Sequence, residues 1–478
     1  MTSLATSPPD RPPGADEPTA VSPRDRRLIL LTAVLTSLLG NMGFTGLNLG
    51  LPAMERELNL SAALLGWIPL TMFMAMAAVA APGAKLADIL GRRRTSIIGF
   101  LVCIAGLTGS ALAWDAASLI ISRVVTGLGV AVVFTNNTSM ATSVHPPERR
   151  GRVLGYTIAS VYVGLSLGPV VCGWLVGWLG WRSIFWFNVL GFLPPLALCL
   201  MVKVEQRPAR GERLDRAGAL LWMATILTLF FGLTNLTRPP LGPLMLGLGL
   251  VSGWAYVRVS LASPNPILDL RLFTESRRFA FSSLAAFISY SASTGTGFIL
   301  ALYLQYTRSL STEQAGFLLM VQPACQALIT PFVGHLSDRL DPGLMASVGM
   351  AILTLGLGLL ALTLGPETST PTFVALLALL GFGFAIFGAP NSNAIIGAAP
   401  PARIGQASGT ITATRLCGQV FSIALTTLVF SLVIGPGRIT PDKYSAFMEA
   451  ATICFSLFAP ICLMGVLASL ARGRGAAR

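Results

Sequence analysis

The sequence predicts an all-α polytopic membrane protein: two six-helix repeats with two further helices inserted between them, fourteen spans in all, both termini cytoplasmic. Three observations carry this. The 478 residues are 53% hydrophobic and only 11% charged, where soluble domains carry about a quarter charged residues. Apolar runs of about 20 residues, enough to cross a hydrocarbon core, recur from Leu28 almost to the C-terminus. A long-range internal repeat then divides the chain.

The runs place spans at 28–50, 62–82, 95–113, 116–143, 153–176, 183–202, 217–235, 242–261, 280–303, 314–334, 344–364, 372–397, 407–434 and 445–470. Residues 1–27, rich in Pro and charge without an apolar core, read as a disordered cytoplasmic tail and not as a secretory signal. The divisions that follow are a six-helix bundle at 28–203, a loop and two linker helices at 204–262, a second bundle at 263–471 and a basic tail at 472–478.

A net charge of +13 would suggest nucleic acid in a soluble protein. Here 25 of the 33 Lys and Arg fall on the side of the termini, so the basic balance is read as topology. Trp174, Trp178, Trp181 and Trp186 cluster at the opposite interface, as an aromatic belt does. The seven cysteines all lie within spans, none at short metal-ligand spacing, and read as small packing residues.

Sliding the chain by 254 residues lays TGLGVAVVFTNNTSMATSVHPPERRGRVLG over LGFGFAIFGAPNSNAIIGAAPPARIGQASG with nine of 30 positions identical. KLADILG at 85–91 has an echo, HLSDRLD, at 335–341. Spans four and twelve are then equivalent, which leaves spans seven and eight as the insert. Parallel repeats about an axis along the membrane normal are one of the architectures of transporters, with the substrate site between halves near the midplane.

The motifs follow in chain order. In GAKLADILGRRR, Asp88 and Gly91 precede Arg92 and Arg93, so that the carboxylate can pair with the arginines or cap a helix; Asp338 and Arg339 stand in the echo. Arg123 and Arg415 lie inside spans four and thirteen, where a buried Arg costs about 2.5–3.5 kcal/mol on insertion scales and marks a pathway or a partner. In GLSLGPVVCGW, Pro169 removes a helix hydrogen bond while Gly164 and Gly168 admit a close neighbour, which fits a pliable helix at the seam between halves. Asn41, Thr45, Asn48, Asn136, Asn137, Gln322, Gln326, Asn391 and Asn393 are polar residues that can line a path, with Asn137 and Asn391 placed to face each other across it. Hydrogen bonding between helices is the competing use of each.

These elements resemble the major facilitator superfamily over four-fifths or more of the chain, and the span count resembles its fourteen-span drug:proton antiporter branch. GAKLADILGRRR is similar to the superfamily's loop motif between spans two and three, RVVTGLGVA to the span-four motif whose Arg is implicated in coupling, and GLSLGPVVCGW to the exporter motif, with Cys172 in place of a Gly. LALYLQYTRSLSTEQAGFLL and SGTITATRLCGQ look like the branch's spans nine to ten and thirteen. The resemblance implies alternating access, export of amphipathic small molecules, protons as coupling ion, a monomer in the cytoplasmic membrane of a bacterium, and no cofactor.

The chain departs from the branch in LLGNMGFTGLNLGLP, where Gly43 stands at the usual span-one acid. None of the 20 acids falls at mid-membrane. Asp115 and Glu449, near span ends, are the nearest coupling candidates. The readings that follow are a proton-linked exporter lacking the usual acid, a proton-independent facilitator or exchanger, and a carrier of lipids or amphipathic anions. An enzyme is not expected: no Lys follows a Gly as a P-loop requires, and two distant histidines exclude H-E-x-x-H.

Overall fold

The computed structural model describes residues 21–337, 340–400, 403–435 and 437–472. Fourteen helices are long and apolar enough to cross a membrane. In chain order the elements are α1 (Pro23–Leu58), α2 (Ala62–Leu90), α3 (Arg92–Ala111), α4 (Ala116–Ser143), α5 (Pro147–Leu179), α6 (Arg182–Met201), α7 (Arg216–Thr234), α8 (Leu241–Ala262), the short α9 (Arg271–Glu275), α10 (Arg277–Tyr306), α11 (Thr312–Leu319), α12 (Val321–Ser337), α13 (Pro342–Thr363), α14 (Thr370–Gly397), α15 (Ile404–Val433) and α16 (Tyr444–Ala471). α11 and α12 together form one span. The break between them has a local cause: Pro323 has no N–H to donate to Leu319, where α11 ends.

Helix ends are set by polar punctuation. Ser22, Ser61, Asp115, Asp215, Ser276, Ser311, Asp341 and Ser369 each accept a backbone N–H in the first turn of the helix they precede. Asn59 closes α1 in the left-handed region at φ 51°. Gly91, at φ 119°, turns the chain between α2 and α3, where a Cβ would lie 2.5 Å from the Glu205 carboxyl.

The repeat seen in the sequence reappears as packing. α1 packs on α5 and α6, α2 on α4, and α3 on α4 and α6; in the second half α10 packs on α15 and α16, α12 on α14, and α13 on α14 and α16. The pairs correspond one for one. The halves meet where α2 lies along α15 and α5 lies along α11 and α12. α7 rests on both α2 and α15, with Trp222 Nε1 donating to the Ala77 carbonyl at 3.1 Å, so the inserted pair flanks the seam.

Asn137 and Asn391 do not face one another across a path, as the sequence reading has it. Asn137 on α4 donates to the Ala33 carbonyl and the Ser37 hydroxyl of α1, both at 3.0 Å. Asn391 on α14 donates to the Ser282 carbonyl of α10, also at 3.0 Å. Each amide fastens the fourth helix of its half to the first. In a medium without water an amide takes the nearest carbonyl, and here that carbonyl is in its own bundle.

Close helix packing predicts the cost of added bulk. A Cβ at Gly129 on α4 would lie 2.6 Å from the Gly99 carbonyl and 2.7 Å from Cys103 Cα on α3, both backbone atoms that cannot rotate away. Gly129→Leu is expected to abolish the monodisperse peak on size exclusion in detergent. Gly151→Leu, at a position with nothing within 4 Å, is expected to leave it intact.

Candidate functional site

The two halves are sealed at the face remote from the termini. Ala62 N–H donates to the Gly437 carbonyl at 2.7 Å, Thr312 Oγ1 to the Gly173 carbonyl at 2.9 Å and Arg438 to Asn59 Oδ1 at 3.4 Å. At the centre of this seal stands Glu55, only 2% exposed. It accepts the Ile439 N–H at 2.7 Å and the Tyr306 hydroxyl, both from the second half. Asp25 and Asp269 are the other buried acids among the described residues, and each bonds within its own neighbourhood, Asp25 to Lys203 and Asp269 to Arg403. Glu55 therefore is the buried carboxylate that joins the halves.

Toward the termini the halves part. A Cβ at Gly151 or Gly155 on α5, at Gly334 on α12, or at Gly405 or Gly409 on α15 would meet nothing within 4 Å. Between these levels Tyr162 on α5 neighbours Gln326 and Thr330 of α12, where those two helices pack together. Tyr290 on α10 and Arg415 on α15 are close enough to act on it electrostatically. The result is a wedge-shaped cleft, closed at one face and open at the other.

Other sequence-predicted path residues separate into groups. Gln326, half-buried on α12, neighbours Tyr162 of the other half. Asn48 is half-buried on α1 and approaches Gly297 of the second half. Asn41 donates to the Ser37 carbonyl and Thr45 to the Asn41 carbonyl, both on their own helix and against α5. Asn393 reaches Ser337 within its half, and Asn136 reaches Thr95. Gln322 is half-buried where α12 meets α14. Gly164 and Gly168 turn toward Leu38, Met42 and Thr45 of α1, inside one half. The seam runs instead along the neighbouring face of α5, where Gly316 abuts the Pro169 carbonyl.

Arg123 is 3% exposed, and the partners found for it among the described residues are neutral. Its guanidinium donates to Ser110 Oγ at 3.1 and 2.7 Å and to Thr126 Oγ1 at 3.0 Å, and lies 4.5 Å from the Phe185 ring centroid. Such a cation–π contact contributes about 2 kcal/mol when desolvated. Arg123, Gly43 and Asn188 line one cavity of about 20 Å³, close to the room for a single water. A Cβ at Gly43 would lie 2.6 Å from Asn188 Cγ and Nδ2. The place of a span-one carboxylate is thus filled by a neutral amide from α6, held by its own bond to the Ile184 carbonyl at 2.8 Å.

The remaining candidates lie at the faces. Asp115 is the exposed N-cap of α4, and hydrogen bonding from Ser118 holds its carboxyl below the usual carboxylate range. Glu449 is exposed on α16. Neither sits in the cleft. Asp88 pairs with Arg92 at 2.7 Å, while Arg92 also donates to the Ser139 carbonyl and Arg93 to those of Cys199 and Leu200. Glu205 accepts the N–H groups of Arg93 and Arg94, an anion at the start of α3. The motif thereby ties the α2–α3 turn to α4 and α6 of its own half. Asp338 and Arg339 lie outside the described residues.

Tyr162, Tyr290, Glu55 and Asn188 are absent from the sequence-based set. The first two carried a usable signal, being phenols in mid-span. Asn188 and Glu55 carried none, because their meaning depends on partners remote in the chain.

The model of the Major Facilitator Superfamily matches residues 33–264 and 282–476. The chain is similar to the multidrug resistance protein Stp of Mycobacterium tuberculosis, 29% identical over 84% of this chain and 75% of that one. It is also similar to the riboflavin transporter RibZ of Clostridioides difficile, 24% identical over 93% of this chain and 97% of that one. A crystal structure of a bacterial homologue of the human lysosomal transporter Spinster, inward-facing and unoccupied, superposes with a TM-score of 0.69 at 18% identity, over 94% and 98% of the two chains. That likeness concerns the fold alone.

The Gly43–Asn188 contact makes a reciprocal prediction. Gly43→Asp is expected to lower the melting temperature in detergent through overpacking, at a cost of about 1–3 kcal/mol. Adding Asn188→Ala is expected to restore most of it, since the shortened side chain frees the space and Arg123 gains a carboxylate. No recovery in the double variant would contradict the contact.

Proposed function

Because this chain belongs to the Major Facilitator Superfamily, we propose that it exports amphipathic small molecules by alternating access. The observation that carries the reading is the distribution of contacts between halves. Among the described residues, the hydrogen bonds joining the two bundles lie at the face remote from the termini. With the basic loops taken as cytoplasmic, by the positive-inside rule, the cleft opens to the cell interior. An exporter loads its substrate there.

Transport then requires the seal to break and the open face to close. Glu55 is the latch in this scheme. As a carboxylate it accepts from Tyr306 and from the Ile439 N–H at once, and loss of either partner leaves a buried charge under-satisfied. It lies on the sealed side, out of reach of the open cleft, so it acts on the conformational equilibrium and is not a carrier of protons.

A second feature bears on energisation. Arg123 is satisfied by hydroxyls and a ring, Gly43 gives it no acid, and no carboxylate among the described residues lines the cleft. This favours movement by exchange or down a gradient over proton antiport.

Vesicles containing the protein and enclosing a pH dye test both parts. A gradient of amphipathic substrate imposed from outside is expected to relax faster than in empty vesicles, without matched proton flux. No acceleration for any of a panel of amphipathic cations, anions and neutral compounds would remove the transport reading. Stoichiometric proton movement would restore antiport and remove the exchange reading.

A further inference from the structure

Arg123 carries a charge that its hydrogen bonds do not cancel. An arginine stays protonated in a protein, and a buried charge is ordinarily paired. Among the described residues no carboxylate lies within ion-pair distance of this one. Asp115 stands eight residues away at the exposed end of the same helix, about 12 Å along its axis. The five N–H groups of the guanidinium are used unevenly. Nε donates to Ser110 Oγ, and Nη2 to Ser110 Oγ and Thr126 Oγ1. Both hydroxyls act there as acceptors, since Ser110 gives its own hydrogen to the Gly106 carbonyl and Thr126 to the Ser122 carbonyl, each at 2.8 Å. Nη1 has two hydrogens, and its partner among the described residues is the Met72 thioether at 3.8 Å, a weak acceptor.

Met72 is also a wall of the cavity of about 20 Å³ beside Arg123, which places the under-used Nη1 at this space. Thr126 and Asn188 are its other polar walls, and no acid is among them. The Asn188 amide nitrogen spends one hydrogen on the Ile184 carbonyl and keeps a second. The space thus offers donors, no negative charge, and room for one water-sized body. The second half shows that packing does not require a cation here. Its matching cavity, among α10, α13, α14 and α16, is walled by Leu380 and Phe384 where the 254 register puts Thr126 and Val130, and is too narrow for a water. Arg123 itself overlays Leu377, which is buried and uncharged.

We infer that the cavity beside Arg123 is a binding site for one small monovalent anion of the halide class, the counter-charge of the guanidinium. A halide is a single sphere little larger than a water and accepts hydrogen bonds from any direction, so it takes Nη1 and the Asn188 amide together. A carboxylate or phosphate on a larger molecule does not fit the volume. In a low-dielectric interior the attraction is many times what it is in water. Gly43 belongs to the site as the wall whose missing side chain brings no charge of its own. The site lies within one bundle, so the anion is a resident and not cargo, and it stands whether or not the chain exports.

The test is thermal unfolding of the full chain in dodecylmaltoside, with sodium chloride or bromide exchanged for sodium gluconate at constant ionic strength. A ligand that binds only the folded chain raises the melting temperature with its concentration. Chloride and bromide are each expected to do so along a single-site, saturating curve, while gluconate is too large to enter. Arg123→Gln is expected to lower the affinity read from that curve at least about tenfold, the range of a charge-assisted hydrogen bond. Gly43→Asp combined with Asn188→Ala is expected to lose the response for the opposite reason, because its own carboxylate supplies the counter-charge. Bromide-soaked crystals locate the ion, with one anomalous peak per chain expected between Arg123, Met72 and Asn188.

Melting temperatures that follow ionic strength alone, or a halide response undiminished in Arg123→Gln, overturn the site and leave a water as its occupant. A bromide peak elsewhere with none in the cavity does the same. If either variant fails to fold, the wild-type halide response and the bromide position decide. Halide binding at Arg123 with no substrate movement in vesicles would defeat the export reading and leave this site standing. Transport by a chain with no halide response would do the reverse.

Discussion

The contact on which the rest of the structure depends is the bridge that Glu55 makes from α1 to Tyr306 and Ile439 at the remote face. Two rigid bundles that touch at one end must part at the other, so this seal determines where the cleft opens. It also explains why the remaining polar groups are arranged inside each half. Asn137, Asn391, Asn136 and the arginines of the α2–α3 turn all bond to helices of their own bundle. Each bundle can then move as a body without leaving unpaired groups in the bilayer. Arg472 follows the same rule at the end of α16: burial pulls its guanidinium down to about 10, and it is met by Ser282, Asn391 and the Gly343 carbonyl.

The treatment of charge inside the membrane gives the protein its character. Arg123 is held by Ser110, Thr126 and Phe185, and the adjoining space that a span-one acid would use belongs to Asn188. Arg123 is not left as an orphan cation, because hydroxyls and a ring surround it. Arg415 differs in having no such enclosure.

Much of this architecture was legible in the sequence because the bilayer imposes it. A span must be about 20 apolar residues long whatever its neighbours, so the fourteen helices fall where the apolar runs put them. The duplication was legible in PPxR and spaced glycines, and it returns as matching helix pairs. What could not be read was the direction each polar side chain takes around its helix. Asn137 looked like a path residue and is a fastener; Gly164 and Gly168 looked like seam residues and turn to α1 instead. Glu55 and Glu57 are two residues apart with the same chemistry, yet Glu55 is sealed between halves while Glu57 pairs with Arg182 on its own side. Only long-range packing separates them. Asn188 is 145 residues from Gly43, and no local pattern announces that its amide fills the space beside that glycine.

Pulsed electron–electron resonance distances across both faces test the latch most directly. One label pair, at Trp178→Cys and Glu367→Cys, spans the sealed face; a second, at Arg152→Cys and Leu336→Cys, spans the open one, all four at exposed positions. In the otherwise wild-type chain the first pair is expected to give a short, narrow distance and the second a long one. Introducing Glu55→Gln is expected to lengthen the first while shortening the second, as a rocking pair of bundles must. If both distances stay where they were, or lengthen together, Glu55 is not the latch and the cleft is not one side of an alternating cycle.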